Sequence, residues 1–281
     1  MKRYLILLLF LLCWCSIEGR EKHALIIGIG EYADARWGRI HADSDINYVL
    51  EIVRGNGFND IRTLCNSEAT KQSIVAAFES LAHSCSLGDK VYIHFSGHGQ
   101  QITDVDGDED DGYDEAWIPY DAQPYYSDTY KGEKHLTDDE VYDMLSTIKE
   151  KIGAQGRIVV IVDACHSGDA TRDFVSSAVA RGFNKKFVIP CNKPKYKEKR
   201  WEDWITLSAC LPYQINWEVS NPAAGKLTWC LYSLRTKLCA LSNIELKESI
   251  IHIMQENPGP LEQSPSFSGR LDSEFINEIF Q

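Results

Sequence analysis

No stretch of this chain is apolar for long enough to cross a bilayer comfortably. The N-terminal run Tyr4–Leu12 has nine residues behind Lys2 and Arg3, where a spanning helix needs about 20. Positive charge is also scarce. Against 41 Asp and Glu there are 29 Lys and Arg, a formal net charge of −12 over 281 residues. That balance argues against nucleic acid or an anionic membrane surface as a partner, because both are bound through cationic side chains. It suits cationic substrates or a divalent metal. The nine cysteines include no Cys-x-x-Cys spacing, so the pattern of a structural zinc site is missing. There is no internal repeat. The apolar and aromatic content is ordinary, enough for one sizeable core.

The basic pair, the short apolar run and the small residues Ser16 and Gly19 read as a secretory signal peptide over residues 1–20. The expectation is export to the cell envelope, the periplasm or the exterior, with no stable membrane span in the mature chain. Bulky Leu12 and Trp14 speak against lipidation at Cys13 or Cys15. Export permits disulfides, but cysteine spacing does not give their pairing.

Strand and helix patterns then alternate, which predicts a parallel sheet covered by helices on both faces. Strands are expected over His23–Ile29 and near Ile61–Leu64. Helices are expected from Asp43 to Arg54, from Lys71 to His83, and from a Thr137-Asp-Asp-Glu140 capping box to about Lys151. Further on, Trp204–Ala209 reads as a strand, Leu227–Leu241 and Ile244–Gln255 as helices, and residues 258–269 as turns.

Two segments carry chemistry. Val91-Tyr-Ile-His-Phe-Ser-Gly-His98-Gly and Ile158-Val-Val-Ile-Val-Asp-Ala-Cys165-His-Ser-Gly are both buried-strand patterns that stop at a small-residue turn with a reactive side chain. Chemistry in an open parallel sheet collects beyond the carboxyl ends of the strands. If the two strands are neighbours, His98 and Cys165 share that edge. A thiol beside an imidazole is the minimum equipment for nucleophilic attack on a carbonyl. The N–H groups of Gly99 and Cys165 are the candidate oxyanion donors. His166 is a rival base, but neighbouring side chains leaving a strand diverge. His94 could share the face of His98, yet no further zinc ligands accompany it.

These motifs resemble the active-site segments of caspase-like cysteine peptidases of family C14, most closely the metacaspases, and the resemblance runs from about Ala24 to the C-terminus. It implies a caspase-like three-layer α/β sandwich with a central, mostly parallel sheet of about six strands and helices on both faces. The peptidase domain would span residues 21–281, with a larger portion over 22–180, a basic processing linker over 181–200 and a smaller portion over 201–281. Cys165 would be the nucleophile and His98 the proton shuttle. The resemblance also places Asp45, Ser96 and Asp163 in the pocket for the residue before the scissile bond (P1). Two carboxylates in a desolvated pocket select a guanidinium or ammonium. The expected activity is therefore endopeptidase cleavage after Arg or Lys. The same acidic pocket could accept the linker itself, making the chain self-processing. A related peptidase with Asp or Asn at P1 and a catalytically silent, calcium-loaded binding module are the alternatives. Metacaspases are usually monomers, and no organic cofactor is expected.

Asp104–Glu115 packs eight carboxylates into twelve residues. Asp104, Asp106, Asp108 and Glu115 match four EF-hand positions, but Glu109 stands where the sharp turn needs glycine, which excludes an EF-hand. Like charges so crowded are costly without a cation. The resemblance implies calcium as an activator, held by Asp138 and Asp139, with Asp114 and Asp173 as further ligands.

Overall fold

A computed structural model describes residues 20–165, 179–183, 185–190, 202–269 and 275–281. The signal segment, His166, Asp173 and residues 191–201 of the basic linker lie outside the described residues.

In chain order the elements are β1 (Lys22–Gly28), α1 (Ala42–Gly55), β2 (Asp60–Cys65), α2 (Lys71–Ser84), β3 (Lys90–Ser96), β4 (Gly99–Thr103), β5 (Tyr113–Trp117), β6 (Leu136–Thr137), α3 (Asp138–Ile152) and β7 (Arg157–Asp163). There follow β8 (Ile205–Ser208), β9 (Glu218–Ser220), β10 (Ala223–Gly225), α4 (Lys226–Ser233), α5 (Asn243–Glu256), β11 (Ser266–Gly269) and α6 (Phe275–Phe280). The central sheet has six strands in the order β11-β8-β7-β3-β1-β2, and every pairing is parallel except that of the edge strand β11.

The sheet is buried on both faces because its strands alternate between two cores. Ala24, Ile26, Tyr92, Val159 and Ile161 face one core, which α1, α4 and α5 complete. Leu25, Ile27, Val91, Ile93, Phe95, Ile158, Val160 and Val162 face the other, under α2 and α3. Continuous apolar strands of this kind are what helices on both sides require. The result is the expected three-layer sandwich.

Three elements differ from the sequence expectation. The helix expected over Leu227–Leu241 is α4 and ends at Ser233, after which the chain runs as turns that seat Leu238 in the core. The turn-rich tail closes as β11, antiparallel to β8 from Ser266↔Ser208 to Gly269↔Ile205. Serine and glycine are weak strand formers, and partner backbone supplies the pairing here. The first half of the basic linker is partly inside: Arg181, Phe183 and Phe187 are buried, while Lys185, Lys186 and Val188 are exposed.

Strands β3 and β7 are neighbours, with Ser96 directly opposite Asp163. Their carboxyl ends are therefore level, and His98 and Cys165 each follow two residues later. Beyond them, β4, β5 and β6 form a separate three-stranded sheet. Among the described residues no helix is long and apolar enough to cross a membrane.

Candidate active site

His98 stands between two aromatic rings, 5.2 Å from Tyr32 and stacked at 5.9 Å on Trp37. Its backbone N–H donates to the Tyr32 hydroxyl at 2.7 Å, and its ring Nε2 lies 3.1 Å from the Gly38 carbonyl oxygen. A carbonyl only accepts, so Nε2 carries a proton. The thiol of Cys165 donates to the Gln214 carbonyl at 3.2 Å. Cys210 points its sulfur at the same oxygen at 3.4 Å. A hydrogen bond with Cys165, together with burial, raises the Cys210 thiol well above its ordinary pKa. None of the described cysteines is in a disulfide.

Into this edge the chain inserts part of itself. The backbone N–H of Cys165 donates to the carbonyl oxygen of Arg181 at 2.7 Å. A Cβ on Gly182 would fall 3.0 Å from the Cys165 sulfur. The Arg181–Gly182 peptide bond thus lies over the nucleophile. Upstream, Arg181 N–H donates to Asn216 O, Glu218 N–H donates to Val179 O (both 2.9 Å), and Ala180 bridges Trp217 in antiparallel sense. Residues 179–181 therefore lie as an added strand along 216–218, the backbone recognition mode of extended peptides.

The Arg181 side chain enters a closed acidic pocket and is 0% exposed. Its Nη1 lies 2.6 Å from Asp45 and 3.7 Å from Asp163, and a second arm is 3.0 Å from Glu218. The same Nη1 donates to the Ser96 hydroxyl at 2.5 Å, and Ser96 donates to Asp45. All three pocket residues expected from the sequence, Asp45, Ser96 and Asp163, are brought together. The first turn of α1 supplies Asp45, and the paired strand ends supply the other two.

The other walls come from the C-terminal third. Glu218 is a third carboxylate, tied in turn by His41 N–H at 2.8 Å and His41 Nδ1 at 2.6 Å. Asn216 donates to Asp163 at 2.7 Å, as do the N–H and hydroxyl of Thr228. Gly225 N–H donates to Asp45 at 3.0 Å. Burial pushes the Asp163 carboxyl upward, yet Arg181 and the Asn216 and Thr228 hydrogen bonds hold it below its ordinary value. At Asp45, burial outweighs Arg181 and, with the Asp163 charge, lifts the carboxyl to about 6. The only sequence signal for Glu218 was an acid standing alone in the largely apolar run Ile205–Val219.

Gly99 opens β4 opposite Trp117. Ile118 N–H donates to His98 O, so the bonded pair is 98/118 and the Gly99 N–H turns off the other edge of β4. On that edge Gln101 and Thr103 bond to Phe187, which puts Gly99 on the linker side as an oxyanion donor requires.

The acidic residues divide into two groups. Asp104, Asp106 and Asp108 bring ligand atoms within 4.8 Å of one another, and among the described residues they alone form such a triad. Asp104 is already engaged, accepting from the N–H groups of Asp106, Gly107 and Glu109. Asp114, on β5, and Asp138 and Asp139, in the first turn of α3, do not converge to that spacing but share one electrostatic cluster. Burial and then the charges of Glu115 and Asp114 push Asp138 up to about 9. Burial and then Asp104 and Asp139 push Asp114 to about 7, and Glu115 is likewise raised to about 7, mainly by burial. Carboxylate oxygens are the donor type that a hard divalent cation takes.

Comparison with known proteins bears on the family and the fold. A family model described as "Metacaspase, peptidase C14 domain" matches residues 22–172. Metacaspase-1A of Neurospora crassa is 33% identical over 164 residues, 55% of this chain and 33% of its own. Metacaspase-1 of Coccidioides immitis is 38% identical over 170 residues, 56% of this chain and 33% of its own. The match thus spans about a third of the length of these relatives. In structure, a Geobacter sulfurreducens protein superposes with a TM-score of 0.65 at 22% identity, covering 91% of this chain and 96% of its own. Caspase-1 from Spodoptera frugiperda gives a TM-score of 0.59 at 12% identity, covering 89% and 88%. At these identities the two structures speak for the fold.

Proposed function

The chain belongs to the metacaspase peptidase C14 family, and from that premise we propose that it is a cysteine endopeptidase that cleaves after Arg or Lys, its own Arg181 included. The observation that carries this reading is the pose of Arg181, with its carbonyl on the Cys165 N–H at 2.7 Å and its guanidinium among Asp45, Asp163 and Glu218. A basic P1 side chain meets three carboxylates there, and an acidic one would meet like charge in a desolvated space.

In the reaction, Cys165 attacks the P1 carbonyl carbon as thiolate, its proton passing to His98. The carbonyl oxygen becomes an oxyanion held by the Cys165 N–H, with Gly99 as second donor. The C–N bond breaks, and His98 returns the proton to the leaving amine. Water then attacks the thioester, releasing the P1 carboxylate and restoring the thiol. Calcium belongs to the proposal as an activator, with Asp114, Asp138 and Asp139 as the described residues that would hold it. Export by the N-terminal segment rests on sequence alone. Action as a monomer is supported by one chain supplying every group named.

The same contact favours a second reading. Arg181 is 0% exposed, and a chain that never released it would be an occupied, silent module. Fluorogenic peptides ending in Arg, Lys, Asp or Asn, assayed with calcium and with chelator against Cys165→Ala, separate the two. Calcium-dependent cleavage after Arg or Lys, lost in the variant, supports the peptidase. Cleavage only after Asp or Asn overturns the pocket assignment, and no cleavage at all favours the silent module.

A further inference from the structure

Beyond Arg181 the chain continues through the far side of the cleft, and its contacts there describe a second pocket. Gly182 passes over Cys165 with no room for a side chain, a Cβ coming within 2.9 Å of the Cys165 Cβ. Phe183 then turns inward and is 3% exposed. Its ring meets Trp37 edge-on at 4.9 Å and Tyr125 edge-on at 5.4 Å. Edge-to-face contact at these distances is the favourable aromatic geometry.

The position of this pocket is fixed by the catalytic residue itself, because Trp37 also stacks on His98 at 5.9 Å. Trp37 is in turn anchored, its indole N–H donating to Ala122 O at 2.9 Å. Hydrogen bonds to the backbone hold residues 185 and 187 beyond the pocket. Gln100 Nε2 donates to Lys185 O at 2.7 Å, Phe187 N–H donates to Gln101 O at 2.7 Å, and Thr103 N–H donates to Phe187 O at 3.0 Å. The segment thus runs as an added strand beside β4, a mode in which main-chain bonds give affinity and side-chain pockets give selectivity.

We propose that the primed side of the cleft is a specificity subsite for an aromatic side chain two residues past the scissile bond, received between Trp37 and Tyr125. Phe183 occupies it in cis, and a protein or peptide substrate fills it in trans with Phe, Tyr or Trp after a P1 Arg and a small P1′ residue. The inference rests on the peptidase reading above. It goes beyond that reading by assigning recognition to the leaving half of the substrate, which a P1 pocket does not touch.

Two internally quenched peptides test it on the full chain with calcium, one containing Val-Ala-Arg-Gly-Phe-Lys and the other Val-Ala-Arg-Gly-Ala-Lys. A Val-Ala-Arg coumarylamide, which has no primed residues, reports the peptidase by itself. The expected result is a kcat/KM on the order of tenfold higher for the Phe peptide, from burial plus edge-to-face contact. That ratio should narrow in Tyr125→Ala. Any linker still seated in the groove slows both peptides alike, so the ratio is the readout. Equal rates for the two peptides, with the coumarylamide cleaved, overturn the subsite and leave the peptidase standing. No cleavage of any of the three overturns both.

Discussion

The backbone N–H of Cys165 and the carbonyl oxygen of Arg181 are 2.7 Å apart, so in the proposed reading the nucleophile holds a carbonyl of its own chain where a substrate's would sit. Purified wild-type protein with calcium should therefore divide after Arg181, and intact mass spectrometry should show fragments ending at Arg181 and beginning at Gly182. Cys165→Ala should stay whole. Arg181→Ala should slow division at this bond by about a hundredfold or more, since removing one partner of a buried charge pair costs about 3–5 kcal/mol. Division at the same rate elsewhere in the linker would disconnect the pose from the chemistry.

Gly225 supplies a test of the pocket that changes no charge. A Cβ there would fall 2.2 Å from an Asp163 oxygen and 2.4 Å from Arg181 Nη1. Its φ of −62° suits any residue, so Gly225→Ala acts by filling space. The variant should lose about a hundredfold in kcat/KM on an Arg coumarylamide, the penalty for a displaced P1 group, and its thermal midpoint should fall as well, because the buried Asp163 carboxylate must shift. Unchanged turnover would mean that the guanidinium does not bind at this depth.

Calcium should stabilise the folded chain. At a concentration about 100 times its Kd, one bound ion adds about 2.7 kcal/mol, which raises Tm by about 5–10 °C in a domain near this size. Scanning calorimetry of Cys165→Ala with calcium and with chelator measures the shift. Asp138→Asn should remove most of it. A Tm indifferent to calcium would end the metal assignment.

Two buried histidines contribute stability that acid removes, in opposition to the raised carboxyls of Asp45, Asp114, Glu115 and Asp138, which contribute the reverse. Burial lowers His94 from 6.5 to about 4 and His135 to about 3. Between pH 6.5 and those values the unfolded chain binds protons that the folded chain does not, so this part of the stability is lost as pH falls. His94 lies 3.2 Å from the Thr228 hydroxyl that steadies Asp163, so the loss reaches the P1 pocket. Urea midpoints of Cys165→Ala at pH 7, 6 and 5, compared with those of the same protein carrying His94→Gln, isolate the effect. The His94→Gln protein should lose less stability on acidification, and parallel slopes would sink the assignment.

The candidate catalytic pair was legible because local signals coincided: His98 and Cys165 each end an apolar run at a glycine-bearing turn. Asp45, Ser96 and Asp163 were reached through the family resemblance. Glu218, Asn216, Thr228 and Gly225 were not legible, since each lies in an irregular or short element and acts through a partner 37 to 180 residues distant. Only the approach of Gln214 O to both sulfurs shows Cys210 beside Cys165.

What the sequence determined by itself was the alternation of strand and helix, the sheet edge that His98 and Cys165 share, and the excess of acid. Those follow from periodicity and composition, which are local. Tertiary structure alone decided that the basic linker begins inside the cleft, with Arg181 in the acidic pocket and Phe183 between Trp37 and Tyr125. A run of Lys and Arg reads as solvated surface because charge is costly to bury. Burial of Arg181 became favourable only when α1, β7 and the 216–218 strand brought three carboxylates to one point.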